Sequence, residues 1–444
     1  MAGGKFDKPV GKTRPGTYIN FESTRNDILG NGGRGIVLLP LIGHNYGPSK
    51  EFITIYNSSP DAQYAKLGYS VYDKDPDNQM MLIREAFKNA SVVIVYNVSS
   101  GEKATGTGGG VNARAKYGGT RGNALGYSVS ANPVKGFDVK VYIDGTVLSS
   151  YEGIENISEL IGQNDAYIDF TGDGELEATA GVTLTGGTDV TAVNSDISKF
   201  LDDMEGVKFN CLAFPVTDKT LQTACKSKIK YLRDNMGKGV QAVVPDFAAD
   251  YEGIINVTNS VAVDGVKLSH AQAAAWVAGV TAAAKNTDSN TYVEYEGAEE
   301  IIDTKTNEEA VAAIKAGELF FIYSEEGKIV IEYDINSLVS FKDGKDETYR
   351  KNRVIRVFDT FAESIQLNFP PNKFDNNSIG WGIMEGIGKT ILKQYEEAGA
   401  IKNVDYDGDF LVDRTISDGD RTYFNVGLEP VDSAEKLYFT VSTR

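Results

Sequence analysis

Hydrophobic and polar positions along the chain change period several times, and each change predicts a different kind of element. The run Gly35-Ile-Val-Leu-Leu-Pro-Leu-Ile and the shorter Phe52-Ile-Thr-Ile-Tyr are apolar enough for buried strands. Leu82, Ile83, Ala86, Phe87 and Ala90 then share one helical face, and Ser91-Val-Val-Ile-Val-Tyr gives a third strand. Strands and a helix in this order predict an α/β unit.

At Ser99 the helical period vanishes. Glycines at 101, 106, 108, 109, 110, 118 and 119 arrive with Thr, Asn and Ser. Alternating runs at Leu125-Gly-Tyr-Ser-Val-Ser, Phe137-Asp-Val-Lys-Val-Tyr-Ile and Tyr167-Ile-Asp-Phe follow, punctuated by Asp144-Gly145 and Asp173-Gly174. A small all-β module is expected to about Leu184, with Leu184-Thr-Gly-Gly-Thr-Asp as its exit linker.

The helical period returns at Ser195, expected as a cap, because Ile197, Phe200, Leu201 and Met204 stand at i, i+3, i+4 and i+7. A strand from Phe209, a helix over 218–236 closed by Gly237, a strand from Val240 and an Ala-rich helix from His270 to Ala284 continue in a βαβ rhythm that predicts a mainly parallel sheet. Beyond Gly297 come a short helix near 308–315, strands at Leu319-Phe-Phe-Ile-Tyr and Ile329-Val-Ile-Glu-Tyr, a helix with Val354, Phe358, Phe361 and Ile365 on one face, and a long helix over about 378–397. Two more strands are expected, one near 424–428 and one in the final Glu435-Lys-Leu-Tyr-Phe-Thr-Val-Ser-Thr-Arg, where Leu437, Phe439 and Val441 alternate with Tyr438, Thr440 and Ser442.

With 444 residues, several domains are expected. The first residues carry no apolar leader and no stretch is long enough to span a membrane, so synthesis and folding in a cytosol are expected and membrane insertion is not. The two cysteines, Cys211 and Cys225, are expected as buried thiols. A net charge of −18 opposes a groove for nucleic-acid phosphates. The charge is uneven: residues 1–20 hold Lys5, Lys8, Lys12 and Arg14 against Asp7 alone. Near the other end, Asp405, Asp407, Asp409, Asp413, Asp418 and Asp420 face only Arg414, a candidate docking surface for that basic arm.

Catalytic motifs fail on spacing. Gly382-Ile-Met-Glu-Gly-Ile-Gly388-Lys389-Thr390 resembles a phosphate loop, but the first glycine lies one residue too early. Ile379, Ile383, Ile387 and Ile391 recur every four residues, so the segment is predicted helical, with Gly382 and Gly386 admitting another backbone. Asp405-Tyr-Asp-Gly-Asp-Phe begins like a calcium loop but has Phe410 where the turn demands glycine and Ile416 where a bidentate glutamate belongs. Only His44 and His270 could serve as a histidine base, and neither has a nucleophile motif beside it. No catalytic residue, metal ligand or cofactor is expected.

Several blocks together resemble one family: Arg14-Pro-Gly-Thr-Tyr-Ile-Asn-Phe, Leu82-Ile-Arg-Glu-Ala-Phe, Lys116-Tyr-Gly-Gly-Thr-Arg-Gly-Asn, the 184–189 linker, Ala273-Ala-Ala-Trp-Val-Ala-Gly, Arg350-Lys-Asn-Arg-Val-Ile-Arg-Val and the closing Leu437-Tyr-Phe-Thr-Val. In this order they resemble the tail sheath proteins of contractile-tailed phages, in the form found in Gram-positive prophages and R-type, phage-tail-like bacteriocins. The resemblance implies an α/β and α+β multidomain fold: a subtilisin-like α/β domain without a catalytic triad, an inserted β-sandwich, a C-terminal α+β domain and extended N- and C-terminal arms.

The corresponding division is an N-terminal linking arm at 1–21, an α/β segment at 22–98 packing with the subtilisin-like domain, the sandwich at 99–186, the subtilisin-like domain at 187–335, the sheath domain at 336–434 and a linking strand at 435–444. The implied function is mechanical, a helical polymer around an inner tube that contracts to drive the tube through a cell envelope. Partners are further copies of the chain, the tube protein, and baseplate and tail terminator proteins, in a virion tail or tail-like particle assembled in the bacterial host cytoplasm. Inter-subunit residues are then Lys5, Lys8, Lys12, Arg14, Tyr18, Ile19 and Phe21 in the first arm and Leu437, Tyr438, Phe439, Thr440 and Val441 in the last strand, with Lys389 and Lys393 as candidate tube contacts. The alternatives are the sheath of a non-phage contractile injection system, a soluble hydrolase with a subtilisin-like domain, and a surface-layer or adhesin-like protein.

Overall fold

The computed structural model describes residues 2–4, 16–18, 33–73, 75, 79–342 and 344–443. Of the first-arm candidates, Lys5, Lys8, Lys12, Arg14, Ile19 and Phe21 lie outside the described residues. Tyr18 belongs to a short backbone strand, Gly16–Tyr18, that runs parallel to Ala2–Gly4.

A seven-stranded sheet organises the middle of the molecule, in the order Glu318–Leu319, Ile254–Val257, Gln241–Pro245, Cys211–Ala213, Ile36–Leu41, Val92–Asn97, Phe52–Tyr56. Every neighbouring pair is parallel except the last, where Phe52–Tyr56 runs back along Val92–Asn97 as an edge strand. Segments 36–97 and 211–319 therefore share one sheet. The strand runs are apolar on both sides because helices cover both faces.

On one face lie Met80–Phe87 and His270–Ala283, packed with Val37, Val93, Val243 and Ile255. The second helix is buried almost all round, as its Ala-rich sequence permits. It crosses Met80–Phe87 closely because Gly279 carries no side chain: a Cβ there would stand 2.5 Å from the Ala86 carbonyl oxygen. On the other face Asn194–Asp203 and Lys219–Asp234 bury Phe200, Leu201, Cys225, Ile229 and Leu232. Ser195 is not the cap of the first of these helices. It lies inside it, and the Asp196 carboxylate accepts the Val193 N–H instead. Asp218 does cap the second, accepting from Leu221 N–H.

The glycine-rich region forms two sheets face to face. One has four strands in the order Thr146–Ile154, Phe137–Ile143, Leu125–Ala131, Thr179–Thr183; the other has three, Ile168–Thr171, Val111–Ala115, Thr105–Gly108. Asp144 and Gly145, with φ of 48° and 80°, make the two-residue hairpin between Phe137–Ile143 and Thr146–Ile154. At the neck, backbones touch directly. A Cβ on Gly101 would lie 1.6 Å from the Thr188 oxygen, and one on Gly119 would lie 1.9 Å from the Asn45 oxygen.

After the hairpin Phe321–Tyr323 and Ile329–Ile331, helix Asn352–Asn368 leads to helix Ser378–Glu397 and then to the hairpin Phe410–Val412 with Phe424–Val426. Phe361, Ile391, Leu392, Tyr395 and Phe410 form a separate small core. No helix among the described residues is long and apolar enough to cross a membrane.

Candidate functional site

Surfaces rather than a cleft carry the unusual chemistry of this chain. Leu437, Tyr438, Phe439 and Val441 are 66%, 89%, 83% and 87% exposed, and the segment holding them with Thr440 has no strand partner among the described residues. The alternation expected of a terminal strand is present, but no described residue of the same chain pairs with it. An apolar run held in water this way is unusual for a folded monomer.

The hairpin 410–412/424–426 is a sheet of two strands with no third strand among the described residues. Its inward side is fixed by aromatic packing, with Phe369 stacked on Phe410 at 5.8 Å and edge-on to Phe424 at 5.8 Å. Its outward side shows Leu411 and Tyr423 to solvent.

Helix 378–397 begins at Asn377, whose side chain accepts from Ile379 and Gly380 N–H, and it is continuous through the glycines, so the loop alternative is excluded. Its glycines divide into two sets. Gly380 and Gly388 face inward: a Cβ on Gly388 would lie 2.1 Å from the Phe410 ring. Gly382 and Gly386 have nothing within 4 Å, so among the described residues they admit no other backbone. They share an open face with Ile379 and Ile383, 76% and 53% exposed.

The tube-contact candidates separate. Lys393 is exposed and lies 3.8 Å from Glu397, whereas Lys389 is half-buried and reaches Asp407 at 3.4 Å. Lys389 thus meets one member of the acidic cluster. The other aspartates shape their own loop: Asp405 accepts from Asp407 N–H, Asp409 accepts from Asp405 N–H, and Asp413 is held below the ordinary carboxylate range by hydrogen bonds from the Thr415 hydroxyl and backbone. No group of three or more His, Cys, Asp or Glu among the described residues is arranged to hold a metal ion.

The two histidines have structural surroundings. His44 is buried with Nε2 3.0 Å from the Leu67 carbonyl oxygen, and burial pushes its pKa down to about 4. His270 Nε2 lies 2.9 Å from Asp246, and the Ser260 hydroxyl accepts the His270 backbone N–H rather than meeting its ring. Cys211 and Cys225 are buried and unpaired with one another, and burial raises both thiols, Cys211 to about 12.

Sequence reasoning missed a buried polar network beneath the C-terminal segment. Asp334, 1% exposed, accepts from Arg356 Nη2 at 3.0 Å, Asn352 Nδ2 at 2.9 Å and the Asn290 N–H at 2.9 Å. Asn352 Oδ1 in turn accepts from Gln241 Nε2 of the central sheet at 3.0 Å. The signal was the polar spacing of Asn352, Arg353 and Arg356 inside a helix otherwise judged by its apolar face.

Residues 99–189 match the family model described as phage tail sheath protein beta-sandwich domain, 191–337 the phage tail sheath protein central domain, and 344–444 the phage tail sheath C-terminal domain. The phage-like element PBSX protein XkdK of Bacillus subtilis (strain 168) is 34% identical over 99% of each chain. The crystal structure of the sheath tail protein from Desulfitobacterium hafniense is similar with 36% identity and a TM-score of 0.83, covering 96% of this chain and 99% of that one. That from Listeria innocua is 34% identical with a TM-score of 0.79, covering 94% and 96%.

Proposed function

The chain belongs to the contractile phage tail sheath protein family and is a structural subunit of a contractile tail sheath; from that premise we propose how its surfaces assemble and move. Copies stack helically around an inner tube, each lending its C-terminal strand to a neighbour's C-terminal sheet, and the N-terminal arm makes the complementary link. A head-to-tail contact of this kind does not close on itself and so builds a filament.

The observation that carries this reading is an exposed, alternating segment at 437–441 in a chain whose C-terminal hairpin has only two strands among the described residues. Strand addition recruits backbone N–H and C=O groups that otherwise face water. Each hydrogen bond contributes about 0.5–1.5 kcal/mol net, so a few residues hold firmly while the chain on either side still bends.

Contraction follows as a shift between two arrangements of the same polymer, with free energy stored at assembly and no nucleotide consumed. Lys393, on the exposed side of helix 378–397, is a contact for the tube, and baseplate and tail terminator proteins bound the polymer. Lys5, Lys8, Lys12 and Arg14 steer the first arm toward the acidic 405–420 loop. The role is structural rather than enzymatic, and the central sheet with helices on both faces is described as subtilisin-like. Domain limits at 99–186, 187–335 and 336–434 are part of this reading, and the largely separate hydrophobic clusters of the sandwich and of the C-terminal helices support it. A sheath in a non-phage injection system would use the same surfaces.

Negative-stain microscopy of the chain expressed alone tests the reading, with tubular polymers expected. A chain lacking residues 437–443 should stay dispersed under the same conditions, and a salt series should slow assembly where steering matters. Tubes formed equally well without those residues would refute the strand exchange.

A further inference from the structure

Past Val431, whose N–H donates to the Ala400 oxygen at 2.9 Å, no backbone hydrogen bond holds the described part of the C-terminal segment to the body. The segment does not leave at that point. Side chains carry it on: Arg353 Nη1 donates to Ser433 Oγ at 2.6 Å, and Lys351 lies 3.7 Å from Asp432.

The last of these contacts is the most enclosed. Glu435 Oε1 accepts from Ser289 Oγ and Thr291 Oγ1, each at 2.8 Å, and Oε2 pairs with Lys351 Nζ. Both charged side chains are only 9% exposed, whereas Leu437, two residues on, is 66% exposed. A carboxylate so far out of water is stable only while its donors stay in place.

Those donors are tied inward. The Thr291 hydroxyl also accepts the Asp334 N–H at 3.0 Å, and Asp334 connects through Asn352 to Gln241 in the middle of the seven-stranded sheet. Lys351 lies over the Tyr333 ring, 4.1 Å from its centroid. Hydrogen bonds therefore run without a break from Glu435 to the central sheet, bypassing the 410–426 hairpin.

We propose that Glu435 pins the root of the free C-terminal strand to the central domain, so that tension between neighbouring copies enters the central sheet at this carboxylate. This rests on the reading of residues 437–441 as an inter-subunit strand. The pin sets both the point of departure and the length that can swing: only the residues after Lys436, whose ammonium still lies 5.8 Å from the Tyr333 ring centroid, are free to follow a moving neighbour. Glu435 is a positioning residue and the strand itself makes the contact.

The test uses the full chain with a nitroxide on Leu437→Cys, which is selective because Cys211 and Cys225 are buried. In dilute, unpolymerised protein the label should be slow in the parent and severalfold faster after Glu435→Ala, while a label on Ser442→Cys is fast in both. Glu435→Gln, which keeps the hydroxyl contacts but loses the charge pair with Lys351, should fall between them. Polymers of Glu435→Ala should form but be severalfold shorter and dissociate at lower denaturant. A label at 437 as slow in Glu435→Ala as in the parent overturns the pin, and so do Glu435→Ala polymers of parental length and resistance. Polymers that persist without residues 437–443 would instead refute the strand exchange and leave the label result standing.

Discussion

Arg233 donates from Nη1 and Nη2 to the two carboxylate oxygens of Asp359, at 2.8 and 2.7 Å, joining the helix Lys219–Asp234 of the central domain to the helix Asn352–Asn368 that leads into the C-terminal one. Each side chain is 12% exposed. Burial opposes the charge on Arg233, and the Asp359 carboxylate more than offsets it.

Breaking this pair from one side should be costly, because the survivor is a buried charge without its partner. Asp359→Asn is expected to lower stability by about 3–5 kcal/mol, and the double replacement Arg233→Met with Asp359→Leu by less than that single change. Denaturant unfolding of the three proteins measures the difference. A single variant within about 0.5 kcal/mol of the parent would show that the pair does not fasten the two helices.

His44 should make the protein acid-sensitive. Its folded pKa is depressed to about 4 from an ordinary 6.5, so between those values the unfolded chain takes up a proton that the folded chain refuses. Stability from this site is intact above pH 6.5 and declines as pH falls toward 4. The full difference is about 3 kcal/mol. Unfolding free energies at pH 7 and pH 4.5 should diverge between the parent and His44→Gln, the parent losing more. Parallel pH profiles would contradict it.

The glycines of helix 378–397 give opposite expectations. Gly388→Ala drives a methyl group into the Phe410 ring and should cost about 1–3 kcal/mol and loosen the hairpin. Gly382→Ala and Gly386→Ala meet open space and should raise stability by up to about 1 kcal/mol each through helix propensity. Thermal unfolding separates the two classes. An assembly defect in Gly382→Ala with undiminished stability would locate a neighbour on that open face.

The periodicities of the sequence determined most elements. Helix 378–397 follows from isoleucines every fourth residue, and the hairpin of the sandwich from Asp144-Gly145. The short strand Ile254–Val257 escaped notice because three apolar residues interrupted by Asn256 carry too little period to distinguish a strand from a loop. The terminal alternation was legible too, but not its partner, since a strand's partner is specified by a second edge that its own residues do not encode.

Tertiary structure decided which residues act together. Helical spacing put Gly382, Gly386 and Gly388 within two turns of one another, yet only the fold brings Phe410 against one and leaves the others bare. Likewise Glu435, Thr291, Asp334 and Gln241 are far apart in the chain and carry no shared motif. Their connection exists because burial favours partners for polar groups, and which partner is within reach is settled only when the sheet, helix 352–368 and the C-terminal segment have packed.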